Sequence, residues 1–110
     1  MANKKIGKQT VKLSNPVTIS STHSIVGPKE GEGPLAKYFD IILEDEYWGE
    51  KTWEKAESKI VKECVAGCLG KEKLSNEDVD YMFSGDLLNQ CVSSCFGIRE
   101  REIPYFGIFG

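Results

Sequence analysis

The sequence predicts a soluble α/β protein built from βαβ units, with a mixed sheet that contains a central parallel strand. The last third of the chain gives a strand, a helix and a strand over Val79 to Ser84, Leu87 to Phe96 and Ile103 to Phe109. Two strands joined in this way are parallel, with a right-handed crossover. The last segment is almost wholly apolar, which is typical of a strand buried on both faces. A long amphipathic helix from about Thr52 to Leu69 is the second observation.

The first part of the chain has an extended pattern. Thr10 to Val26 alternates apolar and polar residues on both sides of an Asn-Pro turn, which predicts a hairpin or an edge pair of strands. Gly27 to Pro34 is rich in glycine and proline, and we expect no regular structure there. Pro34 suits the first turn of a helix, and apolar residues recur at helical spacing from Leu35 to Ile42, so a helix is predicted there.

The long helix carries one apolar stripe, with its charged residues mostly outside that stripe. Gly70 is expected to end this helix, and Gly97 the shorter one, because glycine is common just after a helix. Ser75 and Asp78 have the spacing of a capping box, which predicts a single helical turn. The stripe consists of Trp53, Ala56, Ile60, Cys64, Val65, Cys68 and Leu69.

Composition and charge narrow the classes of partner. The net charge is −3 and the isoelectric point is near 5.2, so the clustered basic surface of a nucleic-acid-binding protein is not expected. The longest uncharged run, Leu13 to Pro28, is rich in Ser, Thr and Asn and cannot cross a membrane. No apolar stretch follows Lys4 and Lys5 as it would in a secretory signal, so the protein is expected to be made in a cytosol.

Four cysteines form two pairs with the same i, i+4 spacing. Cys64 and Cys68 fall on the long helix, and Cys91 and Cys95 fall on the shorter one. Packed face to face, the helices could gather four thiolates around zinc, although structural zinc ligands usually lie on turns. Both pairs lie on apolar stripes, where a free cysteine behaves as a small hydrophobic residue. The sequence favours core packing, with no metal and no cofactor. A small cysteine-based metal or redox module is the alternative.

Three other features could carry function, and none of them identifies a catalytic residue. The glycine-rich stretch Gly27 to Gly33 lacks the Gly-Lys-Ser/Thr ending of a phosphate loop, and its two glutamates would repel phosphate. His23 is the only histidine, and the sequence shows no partner for it. Asp86 follows a predicted parallel strand at its C-terminal end, where ligands bind in open α/β sheets. The alternative is that Asp86 caps the helix beginning at Leu87 by accepting its free amide hydrogens.

Two segments are distinctive, because neither follows from generic rules for helices or turns. They are Gly27-Pro28-Lys29-Glu30-Gly31-Glu32-Gly33-Pro34-Leu35 and Ser84-Gly85-Asp86-Leu87-Leu88-Asn89-Gln90. Shorter supporting segments are Gly7 to Thr10, Trp53 to Glu57 and Ile103 to Gly107. In order and approximate spacing these segments resemble the stage V sporulation protein AD (SpoVAD) family of spore-forming bacteria, over essentially the whole chain.

The resemblance implies a thiolase-like fold that is incomplete here. Residues 1–110 would form the N-terminal part of its first half, with 1–9 as a flexible N-terminus. In the family, the strand that matches Ile103 to Phe109 continues into a turn at the position of the thiolase nucleophile, and this chain ends just before that turn. The resemblance also implies binding of dipicolinic acid, with calcium, for uptake into the developing spore. This function involves binding without a known catalysed reaction, so no enzyme activity is expected. From the resemblance, Asp86 and Asn89 are the residues of this chain that we expect beside the binding pocket.

The same resemblance implies partners and a location. We expect a homodimer in the full-length form, other stage V sporulation A proteins as partners, and synthesis in the cytoplasm of the forespore. The protein would be peripheral to the spore inner membrane, with no transmembrane segment. The enzymatic alternative is a thiolase-like or ketoacyl-synthase-like acyltransferase, which needs a cysteine nucleophile and activating histidines. No cysteine of this chain is predicted on a strand-to-helix turn, so the sequence leaves that alternative open.

Overall fold

The computed structural model describes residues 4–86, 88 and 92–108, which form a mixed α/β structure. Its strands are β1 (Lys5–Ile6), β2 (Thr10–Val11), β3 (Ile25–Val26), β4 (Ile41–Ile42), β5 (Met82–Ser84) and β6 (Tyr105–Gly107). Its helices are α1 (Pro28–Gly31), α2 (Trp53–Lys71) and α3 (Val92–Ile98). Short 3-10 turns cover Ala36–Tyr38, Asn76–Asp78 and Arg99–Arg101.

The strands pair two by two rather than in one mixed sheet. β1 and β2 are antiparallel, whereas β3–β4 and β5–β6 are parallel pairs. The order β5, α3, β6 with parallel strands confirms the predicted βαβ unit. Among the described residues β6 pairs with β5 alone, and Phe106 is 49% exposed. The predicted central strand belongs to the complete sheet and stays a prediction, because within the described residues β6 has a neighbour on one side only.

The N-terminal hairpin lies earlier than the sequence pattern predicts. β1 and β2 pair around a turn at Gly7, whose φ of +67° glycine adopts without strain. Val17 and Ile19, which were expected in a second strand, lie outside any strand. β3 pairs with β4 instead, and this pairing joins residues that are distant in sequence.

Two predictions for the next segment are also wrong. α1 occupies part of the glycine-rich stretch where no regular structure was expected, because Pro28 takes the first helical position and pre-sets its φ. The predicted helix from Leu35 to Ile42 is a 3-10 turn followed by β4. Ile41 and Ile42 are β-branched and pair with β3, and helical spacing within the segment cannot reveal such a contact.

α2 confirms the predicted long helix. Its N-cap is Thr52, whose Oγ1 accepts a hydrogen bond from the backbone N–H of Lys55 at 3.2 Å. The helix continues through Gly70 to Lys71, so Gly70 does not end it. The chain reverses at Lys73, which has a φ of +55°. The predicted capping box is confirmed, because the Asp78 carboxylate accepts from the backbone N–H and the hydroxyl of Ser75.

α3 packs against α2 and supplies part of the small core. Within the described residues α3 runs through Gly97 to Ile98, so Gly97 does not close it as predicted. A Cβ at Gly97 would lie only 2.7 Å from the carbonyl oxygen of Ser58, which shows how closely the two helices approach. Of the predicted start of this helix, positions 87 and 89–91 lie outside the described residues. The buried apolar residues among those described are Leu43, Ala56 and Ile98.

Candidate functional site

Asp86 lies two residues beyond the carboxyl end of β5, and its half-buried carboxylate contacts α3. Its Oδ2 accepts hydrogen bonds from the backbone N–H of Ser94 at 3.0 Å and from the Ser94 hydroxyl at 2.7 Å. Ser94 is the third residue of the described helix, where amide hydrogens have no acceptor within the helix. Asp86 therefore accepts hydrogen bonds at the start of the described part of α3, as a helix cap does.

A tyrosine extends this contact to the second strand. The hydroxyl oxygen of Tyr105, on β6, lies 3.2 Å from the Ser94 Oγ and 3.3 Å from the carbonyl oxygen of Ser84. Ser94 is fully buried, so its hydroxyl must be satisfied by protein groups. Asp86, Ser94, Tyr105 and Ser84, which we call the Asp86 network, tie the parallel pair β5–β6 to α3. In α/β folds, ligands bind at this edge of a parallel sheet.

The Asp86 network carries a negative charge that acts on neighbouring groups. Burial raises the pKa of Glu57, on α2, and the negative charges of Asp86 and then Glu54 raise it further. The field of Asp86 therefore reaches α2, which is joined to α3 by a hydrogen bond from the Ser58 hydroxyl to the Ser93 carbonyl oxygen at 2.9 Å. A carboxylate repels an anionic ligand, so direct contact with Asp86 would not favour binding of an anion. Asp86 can contribute to anion binding only by orienting a donor or by holding a cation between itself and the ligand.

Asn89 and Cys91 lie outside the described residues, so the second predicted pocket residue stays a prediction. The other cysteines have different surroundings. Cys64 and Cys68 are half-buried on α2, whereas Cys95 is exposed, so its predicted place in the core is wrong. The face of α3 that meets α2 is formed by residues such as Gly97, and Cys95 falls outside that face.

Cys64 has the properties of a structural thiol. Its Sγ donates to the carbonyl oxygen of His23 at 3.2 Å. Burial first, and the neighbouring Cys68 and Asp40 next, raise its pKa, so the thiol stays protonated near neutral pH. Within the described part of the chain, no group of three or more His, Cys, Asp or Glu side chains is placed to hold a metal ion.

A second polar cluster joins α2 to β3, and the sequence patterns do not indicate it. The Asp40 carboxylate accepts from the Lys71 ammonium at 2.6 Å, and from the backbone N–H of Ser24 at 2.8 Å and its hydroxyl at 3.1 Å. The hydrogen bond from Lys71, then those from Ser24, lower the Asp40 pKa to about 2. These partners are 31 and 16 residues away in sequence, which is why no local spacing could have found them.

His23 lies beside this cluster. The side chain is only 10% exposed, and its Nδ1 lies 3.8 Å from the Asp40 Oδ2. Within the described residues, neither ring nitrogen has a hydrogen-bond partner. The ring rests on Gly67 of α2, where an added Cβ would lie 2.6 Å from its atoms. The lone histidine thus packs against Gly67 on α2.

A cleft of about 690 Å³ lies between α2 and α3. Phe96 and Gly97 line it together with charged side chains of both signs, and the Lys62 ammonium reaches the Glu100 carboxylate at 3.4 Å. The mixed charges favour no single ligand class. No helix in the described ranges has the length and apolar character needed to cross a bilayer.

Comparison with known proteins gives a family. The family model of stage V sporulation protein AD (SpoVAD) matches residues 7–110. The chain is 36% identical over 107 residues to stage V sporulation protein AD of Bacillus subtilis (strain 168), a match that covers 97% of this chain. It spans about a third of that relative's length, since the match covers 32% of the relative. Both matches confirm the resemblance drawn from the sequence, and the chain belongs to the SpoVAD family of sporulation proteins.

Proposed function

We propose that the full-length protein binds dipicolinic acid for its uptake into the developing spore, and that the Asp86 network forms one wall of the pocket. The observation that carries the proposal is the position of Asp86 at the carboxyl ends of two parallel strands. Membership of a sporulation family supports the biological setting. The proposed fold is thiolase-like, with this chain as the N-terminal part of its first half. The parallel βαβ unit is compatible with such a fold.

The charge of the ligand makes calcium the natural bridge in the proposed pocket. Dipicolinate is a planar dianion, and the carboxylates of Asp86 and Glu57 would repel it. Calcium takes six to eight oxygen ligands and accepts carboxylates readily, so it could join Asp86 to the ligand. Asn89 remains a proposed neighbour in the pocket, because its amide could donate to a ligand carboxylate.

The proposed role is binding rather than catalysis. The described cysteines lie inside helices α2 and α3, away from any strand-to-helix turn of the kind that presents an acyltransferase nucleophile. We further propose that the full-length protein is a homodimer and assembles with other stage V sporulation A proteins. Its proposed location is peripheral to the spore inner membrane after synthesis in the forespore. No observation favours the metal or redox module.

Calorimetric titration of the full-length protein with dipicolinate, with and without calcium, tests the proposal. We expect Asp86→Asn to weaken binding of the calcium-loaded ligand by roughly tenfold or more, since losing about 1.4 kcal/mol costs a factor of ten. Asparagine still offers an oxygen to Ser94, so the cap is largely kept while the charge is removed.

Asp78→Asn is the matched control. Asp78 also accepts hydrogen bonds from the backbone N–H and hydroxyl of one serine, Ser75, but it lies at a different turn. The control should leave the affinity unchanged. If Asp86→Asn keeps full affinity and only lowers the melting temperature, Asp86 is a helix cap and the proposed pocket wall is rejected.

A further inference from the structure

The hairpin β1–β2 is positively charged in a chain that is negative overall. Four lysines lie within or beside its two strands: Lys4, Lys5, Lys8 and Lys12. The first acidic residue of the sequence is Glu30, so all 17 acidic residues lie beyond the hairpin. The four lysines give the hairpin segment a charge of +4, which leaves −7 on the remainder of a chain whose net charge is −3. The hairpin is therefore the part of the chain that attracts anions.

Apolar side chains alternate with these lysines. Ile6 is 52% exposed, Val11 is 65% exposed and Leu13 is 53% exposed. In the strand register Val11 is directly opposite Lys5, and Ile6 is directly opposite Thr10. Because opposite residues of an antiparallel pair share a face, each face of the hairpin carries an exposed apolar side chain.

The rest of the described structure leaves the hairpin uncovered. Within the described ranges β1 and β2 pair only with each other, and every residue from Lys4 to Ser20 is exposed. A single two-stranded hairpin is only marginally stable in water. A surface that takes up its apolar side chains and pairs with its lysines would therefore stabilise it.

We propose that the hairpin β1–β2 is a membrane-docking element, which binds anionic lipid headgroups through its lysines and places Ile6, Val11 and Leu13 in the membrane interface. The inference rests on the proposed peripheral location and deepens it by naming the segment that contacts lipid. Lysine ammonium groups are attracted to an anionic leaflet, while their alkyl stems lie along apolar surface. Charge and apolar contact are each a marginal signal alone, and together they give stable attachment.

A lipid surface suits the hairpin better than nucleic acid does. The phosphates of nucleic acid would also pair with lysine, but they would leave the three apolar side chains in water. The segment from residue 1 to residue 13 contains no arginine and no aromatic residue, which are the side chains that commonly recognise guanine and stack on bases.

Cosedimentation of the full-length protein with lipid vesicles tests the inference. Vesicles of phosphatidylcholine mixed with phosphatidylglycerol should bind the protein, whereas vesicles of phosphatidylcholine alone should not. Binding should weaken as salt is added, because salt screens exposed charges. The variant Lys4→Gln/Lys8→Gln/Lys12→Gln should bind roughly a hundredfold more weakly, since each lysine near an anionic surface contributes about fivefold. Absence of binding by the wild-type protein overturns the inference.

The matched control removes three positive charges from other parts of the surface. Lys29→Gln/Lys51→Gln/Lys73→Gln changes three exposed lysines outside the hairpin and should keep the vesicle affinity within a few-fold of wild type. Equal losses in the two triple variants would refute the hairpin as the docking element and leave the proposed membrane location standing.

The apolar contribution has its own variant. Val11→Ser/Leu13→Ser should weaken vesicle binding severalfold at constant salt, with little change in melting temperature, because both side chains are exposed. Unchanged vesicle affinity of this variant overturns the inference, and so does tighter binding of the wild-type protein to duplex DNA than to phosphatidylglycerol vesicles. Titration with dipicolinate separates this inference from the proposed function, since the triple lysine variant of the hairpin should bind dipicolinate as wild type does.

Discussion

Asp40 is a single carboxylate on which three segments of the chain converge. It follows the first 3-10 turn, it accepts from Ser24 just before β3, and it binds the ammonium of Lys71 in the last turn of α2. Lys71 also donates to the carbonyl oxygen of Thr22 at 2.7 Å. A charged acceptor with several donors is held more firmly than a lone surface pair, because each hydrogen bond to the ionised form is stronger than a neutral one.

The first prediction at this scale concerns acid stability. The Asp40 pKa is lowered from 3.8 to about 2, chiefly by Lys71, so the folded state holds this carboxylate ionised more strongly than the unfolded state does. The resulting stability is present above the unfolded value of 3.8 and is lost as the pH falls toward 2. Asp40→Asn should therefore remove part of the decline in unfolding free energy over that window.

Two lysine variants test the contribution of Lys71, with Lys71→Met as the test and Lys73→Met as the control. Lys71→Met should shift the acid unfolding midpoint of the full-length protein upward, because it removes the largest cause of the lowered Asp40 pKa. Lys73→Met, an exposed lysine two residues further on, should leave the midpoint near that of wild type. Chemical denaturation followed by circular dichroism at stepped pH measures both. Equal midpoints for the two variants would mean that the Lys71 contact does not stabilise the fold.

At the scale of elements, two glycines allow other segments of the chain to pack closely against α2. Gly67 receives the His23 ring of the segment leading to β3, and Gly97 of α3 meets the Ser58 carbonyl of α2. Gly70, also on α2, faces open space, with nothing within 4 Å of an added Cβ. Gly67→Ala and Gly70→Ala, two substitutions in the same helix, should therefore have opposite effects on the free energy of unfolding.

These glycines give the second prediction. Gly67→Ala and Gly97→Ala should each destabilise the full-length protein by roughly 1–3 kcal/mol, because a methyl group would overlap a neighbour. Gly70→Ala should stabilise it by about 0.5–1 kcal/mol through helix propensity. His23→Ala should rescue Gly67→Ala, whose obstacle is a side chain, in a double-mutant cycle measured by urea unfolding. It should not rescue Gly97→Ala, whose nearest contact is backbone. Additive effects of His23→Ala and Gly67→Ala would contradict the predicted contact.

The elements also show how far the sequence could predict the structure. α2 and the capping box at Ser75 were predictable, because their signals are local: an apolar stripe, an N-cap hydroxyl and a fixed three-residue spacing. β4 was not, since Ile41 and Ile42 become a strand only by pairing with β3. The position of Asp86 at a strand end was predictable, whereas its bond to Ser94, eight residues on, depends on how α3 packs. The His23 and Asp40 cluster depends on contacts between distant segments and left no local signal.

At the scale of the whole chain, the dimensions exceed those of a compact domain of the same length. The radius of gyration is 16.4 Å, compared with about 13 Å for a compact domain of this length. Large apolar residues such as Val17, Ile19 and Phe83 are exposed, while the described core is small. Little apolar surface is therefore buried to offset the conformational entropy of ordering 110 residues.

This balance leads to the last prediction, that residues 1–110 expressed alone should self-associate and unfold without a sharp transition. The exposed rings of Phe83 and Phe106, and the edges of β5–β6 that are unpaired among the described residues, would associate with other copies, since exposed apolar strand edges template association. Sedimentation velocity over a dilution series and binding of an apolar dye measure the two consequences, with the full-length protein as control. The full-length protein should bind less dye, because a longer chain buries a larger fraction of its apolar surface on folding. A monomeric 1–110 chain with a cooperative thermal transition and no dye binding would instead show that this small core suffices for an independent domain.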